Sequence, residues 1–175
     1  MKKLFFALWP TNEIRKQIDK FNQSINSTGL KKVTAENLHI TLVFLGNVDA
    51  ISEAMIRKNV KNISVKPFVL HFDRLAFWKK PQILCISTLH CDPQLLKVVN
   101  AIKSSVKQSG IETEKRIYKP HITLARKARK LIDIDNLNIE WPVHSFCLVE
   151  SCSRSGGVHY QVLERWDFNS QYKSS

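Results

Sequence analysis

Two short elements of the chain repeat a histidine and a threonine separated by one residue. His39 and Thr41 lie in LHITL at residues 38–42, and His121 and Thr123 lie in PHITL at residues 120–124. Alternate residues of a strand face the same side, so each histidine should share a face with its threonine. Imidazole can donate or accept a proton near neutral pH, and hydroxyls can donate to phosphate oxygens. The repeat therefore predicts a phosphoester site with one general acid and one general base.

Either element alone is also typical of a half-buried histidine in an amphipathic strand, since Ile, Thr and Leu are ordinary strand residues. Two matching copies favour chemistry over that interpretation. The other histidines have no repeated partner and are interpreted as structural: His71, His90, His144 and His159. His90 precedes Cys91, but neighbours on a strand point to opposite faces, which disfavours a shared metal ion.

The elements that must position these residues follow from hydrophobic spacing and helix signals. Strands are predicted at residues 3–9, 37–45, 68–77, 82–89, around His121, at 146–152 and at 158–166. Helices are predicted from Pro10 to before Gly29, at residues 52–63, and from Asp92 to Gly110. Because helices and strands mix without strict βα alternation, we predict an α+β fold. No long linker interrupts residues 1–175, which favours a single domain with two similar lobes.

Composition limits the classes of protein and partner. Hydrophobic residues make up 43% of the chain, which is typical of a packed globular protein. The 27 Lys and Arg outnumber the 15 Asp and Glu, so polyanions should be attracted. The four cysteines lack paired zinc-site spacing and are interpreted as buried thiols in a reducing cytoplasm. The apolar stretch at residues 4–9 ends at Pro10, and nowhere do about 18 apolar residues run together, so we expect no membrane span.

The sequence resembles a known family, the 2H phosphoesterases, and within it the RNA 2′,3′-cyclic phosphodiesterases, historically called 2′-5′ RNA ligases. The resemblance runs through nearly the whole chain. Two blocks carry the HxTx motifs, ENLHITLVFLGNV at residues 36–48 and YKPHITLARK at residues 118–127. Three further segments also resemble the family, namely KLFFALWP, PFVLHFDRLAFW and SGGVHYQVLERWDF.

This resemblance implies a bilobal α+β fold in which two four-stranded antiparallel sheets face each other across a cleft with pseudo-two-fold symmetry. It implies neither a metal nor a cofactor. It makes His39 the proton donor to the leaving oxygen and His121 the proton acceptor that activates water. Thr41 and Thr123 would hold the phosphate, and Arg126 would bind the phosphate or the RNA backbone.

Two basic features of the sequence lie close to the HxTx motifs. Many relatives have an Arg-Trp pair shortly before the first motif, where this chain has Lys32 and Val33, and lysine lacks the bidentate fork of arginine. The basic run at residues 126–130 is either a solvated loop or part of an RNA-binding rim.

The resemblance implies hydrolysis of 2′,3′-cyclic phosphate ends of RNA, such as tRNA fragments, to 2′-phosphate ends, by a cytoplasmic monomer. A second interpretation keeps the site but assigns it a 2′,5′-linked RNA or a cyclic nucleotide, including reversible ligation. A third is a nucleotide- or RNA-binding module without turnover. The presence of both histidines and both threonines favours catalysis over binding alone.

Overall fold

The structure is a computed structural model that describes residues 1–134, 137–155 and 157–168. Its main sheet is antiparallel, and seven of its strands follow the order β10-β9-β1-β3-β7-β6-β5, with β2 paired to β7. The remaining described strands, β4 and β8, form a separate pair. The strands are β1 Lys2–Leu8, β2 Lys31–Lys32, β3 Ile40–Val48, β4 Phe68–Phe72, β5 Arg74–Trp78, β6 Ile83–Ser87, β7 His121–Arg126, β8 Ile139–Val143, β9 Ser145–Arg154 and β10 Gly157–Asp167.

The main sheet consists of two four-stranded halves that meet at its centre. One half contains β10, β9, β1 and β3, and the other contains β2, β7, β6 and β5. They are joined where Ile40 of β3 pairs with Ile122 of β7, one residue after each motif histidine. The α+β class and the antiparallel strands are as predicted, and the junction brings the two HxT elements side by side.

Among the described residues, three α-helices pack against the strands, and each begins at a polar cap. The helices are α1 Asn12–Ser24, α2 Ala50–Val60 and α3 Pro93–Gln108. The Asp49 carboxylate accepts hydrogen bonds from two backbone N–H groups of α2, and Asp92 does the same for α3. The cap at Asp49 places the start of α2 two residues before the predicted Ser52. Ile18, Ile56 and Ile102 are fully buried and anchor the three helices to the core.

Two predicted strands differ from the observed ones. The strand predicted at residues 68–77 is divided at Asp73 into β4 and β5, which belong to different sheets. The strand predicted to end at Gly46 continues to Val48, because Gly46 adopts a φ of 73° that keeps the chain within the sheet across a register shift. His39 itself lies just before β3, after a 3₁₀ helix at Ala35–Asn37.

A register shift follows the threonine of each motif. In the β1–β3 pair, Thr41 faces Ala7 and Val43 faces Phe6, so Leu42 is passed over. In the β6–β7 pair, Thr123 faces Cys85 and Ala125 faces Leu84, which passes over Leu124 in the same way. Such bulges bend a strand and are frequent beside active sites. The repeat in the sequence thus extends to the backbone geometry.

The cysteine prediction holds for two of the four residues. Cys85 and Cys147 are buried, and burial raises the pKa of the Cys85 thiol to about 12 and that of Cys147 to about 11. Cys91 and Cys152 are partly exposed, contrary to the prediction, and all four thiols are free.

Within the described parts of the chain, no helix is long and apolar enough to span a membrane.

Candidate active site

A cavity of about 260 Å³ lies where the two halves of the main sheet meet. All five residues singled out from the sequence line it: His39, Thr41, His121, Thr123 and Arg126. Its other walls are Val33, Asn37, Phe44, Pro81, Ile83 and Tyr160. The residues between the motif positions, such as Ile40 and Ile122, are fully buried on the opposite face. Strand alternation therefore separates a reactive face from a core face in both elements.

The imidazole of His39 is held by its neighbours at both nitrogens. Its Nδ1 lies 2.6 Å from the carbonyl oxygen of Asn37, and its Nε2 lies 3.1 Å from Oγ1 of Thr41. A carbonyl oxygen can only accept, so Nδ1 carries a proton, and the lone pair on Nε2 of the neutral ring accepts from the Thr41 hydroxyl. Nε2 is therefore the atom of His39 available for proton transfer.

Three aromatic rings surround His39. Trp9 stacks on the imidazole at 5.6 Å, Phe5 is tilted at 5.1 Å, and Tyr160 is edge-on at 4.9 Å. Burial among these rings is the main cause that lowers the pKa of His39 to about 4, since a charged imidazolium loses its hydration there. The positive charges of His121 and Arg126 lower it further. His39 is therefore neutral in the empty site near pH 7.

His121 repeats the same tether with fewer aromatic neighbours. Its Nδ1 donates to the carbonyl oxygen of Lys119 at 2.9 Å, again two residues before the histidine, which leaves Nε2 as the lone-pair nitrogen. The ring of Trp78 lies 4.3 Å from the imidazole at an angle of 49°. Burial lowers the pKa of His121. The shared tether gives both imidazoles the same tautomer.

The remaining polar groups suit an anion. Among the described residues, the Thr123 hydroxyl and the Arg126 guanidinium have no hydrogen-bond or ion-pair partner, so both are available to a ligand. The residues that line the cavity include no carboxylate. Within the described ranges, no three His, Cys, Asp or Glu side chains cluster as a metal site would require. The lining is thus positive or neutral and rich in donors, as phosphate oxygens require.

The two basic features of the sequence contribute differently to the site. Val33 lines the cavity, whereas Lys32 donates to the carbonyl oxygen of Gln23 at 3.1 Å and is not among the lining residues. In the basic run after the second motif, Arg126 lines the cavity, and the chain then turns at Lys127 with a φ of 59°. Ala128 is buried and donates to Gln82. Only the first residue of that run therefore reaches the cavity.

Sequence reasoning missed the residues that fix the two motifs. The Asn37 side chain donates to the carbonyl oxygen of Val158 at 2.8 Å and accepts from the backbone N–H of Tyr160 at 3.3 Å. Asn37 thus ties β10 to the carbonyl that holds His39. No local pattern signals these bonds, because Val158 and Tyr160 lie more than 100 residues away along the chain.

A tyrosine links the two halves of the site. The Tyr118 hydroxyl donates to the carbonyl oxygen of Thr41 at 3.1 Å, which joins the segment before the second motif to the strand of the first. Burial raises the pKa of Tyr118 well above its usual range, so this donor stays protonated. The bond holds the two HxT elements in one arrangement.

Comparison with known proteins agrees with this geometry. Residues 8–85 match the family model of the LigT like phosphoesterases. The RNA 2′,3′-cyclic phosphodiesterase of Escherichia coli (strain K12) is 30% identical over 168 residues, which span 94% of this chain and 96% of that protein. The crystal structure of E. coli LigT complexed with 3′-AMP superposes with a TM-score of 0.87 at 30% identity, covering 95% of this chain and 98% of that one.

A further solved structure, described as a phosphoesterase, has a TM-score of 0.88 at 29% identity and covers 96% of this chain and 99% of its own. The likeness therefore extends over the whole fold, including both halves of the sheet. Identity of this degree over nearly the full length, together with the family match, shows the family of the chain. It belongs to the LigT-like family of 2H phosphoesterases.

Proposed function

We propose that the protein hydrolyses 2′,3′-cyclic phosphate ends of RNA and leaves 2′-phosphate ends. The observation that carries this proposal is the pair of imidazole Nε2 atoms at one small cavity, each on a ring whose Nδ1 is tethered to a backbone carbonyl. Relatives that align along the chain are named RNA 2′,3′-cyclic phosphodiesterase, which supports the same substrate class here.

In the proposed reaction, His121 acts as the base and His39 as the acid. Nε2 of His121 takes a proton from water as the water oxygen bonds to phosphorus. The bond from phosphorus to O3′ breaks, and the proton on Nε2 of His39 passes to O3′. Thr41, Thr123 and Arg126 hold the non-bridging oxygens, where negative charge is stabilised in the transition state.

The acid role requires His39 to be protonated, although burial favours its neutral form in the empty site. A bound phosphodiester brings one negative charge into this poorly hydrated cavity. A negative charge beside the imidazole favours its protonated form and raises the pKa of His39, against the effect of burial. Substrate binding and protonation of His39 are therefore coupled in the proposed mechanism.

We also propose that the natural substrates are RNA fragments such as tRNA halves, and that the protein acts as a cytoplasmic monomer. The surplus of cationic over anionic residues supports a polyanionic substrate. No metal takes part in the proposed chemistry, because both proton transfers and the anion contacts are assigned to side chains that line the cavity.

Product analysis tests the proposal. An oligonucleotide with a 2′,3′-cyclic end is incubated with the protein in EDTA, digested to mononucleotides, and separated against 2′- and 3′-monophosphate standards. We expect turnover and a 2′-monophosphate product. A 3′-monophosphate would reverse the assigned roles of His39 and His121, because in-line attack places the base and the acid on opposite sides of phosphorus. Turnover that EDTA abolishes would instead indicate metal-activated water.

A further inference from the structure

A second and larger cavity, of about 480 Å³, adjoins the candidate active site. Thr41, Phe44 and His121 line both cavities, so a ligand that leaves the smaller one at this side enters the larger one. The volume lies in the range of cavities that hold small organic ligands, roughly 300–1,000 Å³. The proposed reaction at phosphorus uses none of the residues that line the larger cavity alone.

The walls of this cavity offer apolar surface to solvent. Phe44 is 49% exposed and Ile117 is 88% exposed, although both are large hydrophobic residues. Trp78 lines the larger cavity and not the smaller one, while its ring contacts the imidazole of His121. Trp78 therefore places an aromatic ring in the larger cavity, directly beside His121. Accessible aromatic rings stack on the bases of single-stranded nucleic acids.

The charges of the cavity favour an anion. Lys103 of α3, Arg116 and Lys119 contribute three cations, and Glu114 contributes one carboxylate. Arg116 forms an ion pair with Glu114. In the part of the chain that the structure describes, Lys103 and Lys119 have no carboxylate partner, and Lys103 is half-buried. Two unpaired cations beside exposed aromatic and aliphatic surface match the phosphate and the base of a nucleotide.

We propose that the larger cavity binds the nucleotide that precedes the cyclic end of the RNA. Lys103 and Lys119 contact the phosphate that links this nucleotide to the terminal one, and its base packs against Trp78 and Ile117. This inference rests on the proposed function, since it takes the cyclic end to occupy the smaller cavity. It assigns the protein a substrate of at least two nucleotides and makes a free cyclic mononucleotide the poorer substrate.

The test compares a 2′,3′-cyclic mononucleotide with the corresponding dinucleotide that carries the same cyclic end. The linking phosphate exists only in the dinucleotide. We expect Lys103→Ala to lower kcat/KM for the dinucleotide by roughly 10-fold and to change that for the mononucleotide by less than about twofold. Lys103→Arg should retain the preference for the dinucleotide. Ile117→Ser should reduce the same preference by roughly fivefold through lost packing.

Lys107→Ala is the matched control, because Lys107 lies on the same helix, is exposed, and does not line the cavity. It should leave both substrates unchanged. Equal losses for the two substrates in Lys103→Ala would overturn the proposal, since the cavity would then hold the terminal nucleotide or Lys103 would act on the fold. An unchanged dinucleotide rate would also overturn it, because the cations would then be merely solvated.

A failure of this proposal can be distinguished from a failure of the proposed function. If the wild-type protein hydrolyses neither cyclic substrate, the proposed function fails. The larger cavity is then tested by calorimetric titration with a mononucleotide and a dinucleotide that end in a 2′-phosphate. A tighter Kd for the dinucleotide that Lys103→Ala removes, and Lys107→Ala retains, supports the subsite. Equal Kd values for the two ligands contradict it.

Discussion

His39 and His121 occupy matching backbone positions in unlike surroundings. Each follows a carbonyl that fixes its Nδ1, and each precedes a threonine and a bulge. His39 is enclosed by three aromatic rings, whereas His121 contacts Trp78 and borders a second, larger cavity. The backbone repeat supplies two similar Nε2 groups, and the surroundings make one enclosed and the other open.

This difference in surroundings bears on which histidine acts as the acid and which as the base. An enclosed imidazole needs a bound anion to become protonated. An imidazole at the border of a larger cavity is better placed to meet a water molecule and take its proton. The proposed roles agree with these surroundings, since the enclosed His39 is the acid and the more open His121 is the base. Variants in each half of the site test how far the two halves differ.

The largest effect is expected from removal of either imidazole. We expect His39→Ala and His121→Ala each to lower turnover of a cyclic-ended RNA by roughly 10²-fold to 10⁴-fold, because each loses one proton transfer. Steady-state rates measure this, and circular dichroism checks that the fold persists. Near-wild-type turnover in either variant would remove that histidine from the mechanism.

The pH dependence of stability tests the enclosure of His39 next. The folded-state pKa of His39, about 4, lies below the unfolded value near ~6.5, so the unfolded chain binds its proton first as the pH falls. The stability associated with neutral His39 is therefore present above about pH 6.5 and is lost between there and about pH 4, on the order of 3 kcal/mol.

Urea unfolding of the wild type and of His39→Gln across this pH range measures that loss. The variant lacks the titrating imidazole, so its free energy of unfolding should fall less steeply with acid. Identical slopes in the two proteins would show that enclosure of His39 does not perturb its titration.

The threonines should give a smaller effect. We expect Thr123→Val to lower kcat/KM by a factor corresponding to about 1.5 to 3 kcal/mol, because it removes one donor to a charged oxygen. Thr41→Val should also alter the acid limb of the pH profile, since Thr41 contacts Nε2 of His39 at 3.1 Å. Unchanged rates in both variants would place the hydroxyls away from the phosphate.

The smallest effect is expected at Asn37, whose side chain acts on His39 through the backbone. Asn37→Ala should lower kcat by roughly 10-fold with little change in KM, because the carbonyl that orients His39 loses its tie to β10. Asn37→Asp should restore part of the rate, since a carboxylate can still accept from Tyr160. Glu36→Ala, an exposed neighbour in the same 3₁₀ helix, is the control. Equal loss in the control would assign the effect to the helix as a whole.

Local patterns in the sequence predicted much of the fold and four of the candidate residues at the smaller cavity, His39, Thr41, His121 and Thr123, while Arg126 came from the family resemblance. The alternation in the two HxT elements, the capping aspartate at the start of α3, and the order of helices and strands all depend on neighbours within a few residues. Such features can be predicted because their physical causes are local. The resemblance to the 2H phosphoesterases added the proposed reaction and the role of each histidine.

Other features depended on contacts between distant parts of the chain. The division of the segment at residues 68–77 between two sheets, the continuation of β3 past Gly46, and the position of Lys32 away from the cavity follow from pairing partners rather than from local residue types. Asn37 and Val158 are 121 residues apart, and the Tyr118 contact to Thr41 spans 77.

The sequence by itself determined which residue types could perform acid–base chemistry on a phosphate and which face of each strand would carry them. Only the tertiary structure decided that Ile40 pairs with Ile122, that three rings enclose His39, and that Lys103 and Lys119 border a second cavity. Strand alternation is set by the local backbone, whereas enclosure, charge pairing and cavity shape are set by residues that folding brings together from far along the chain.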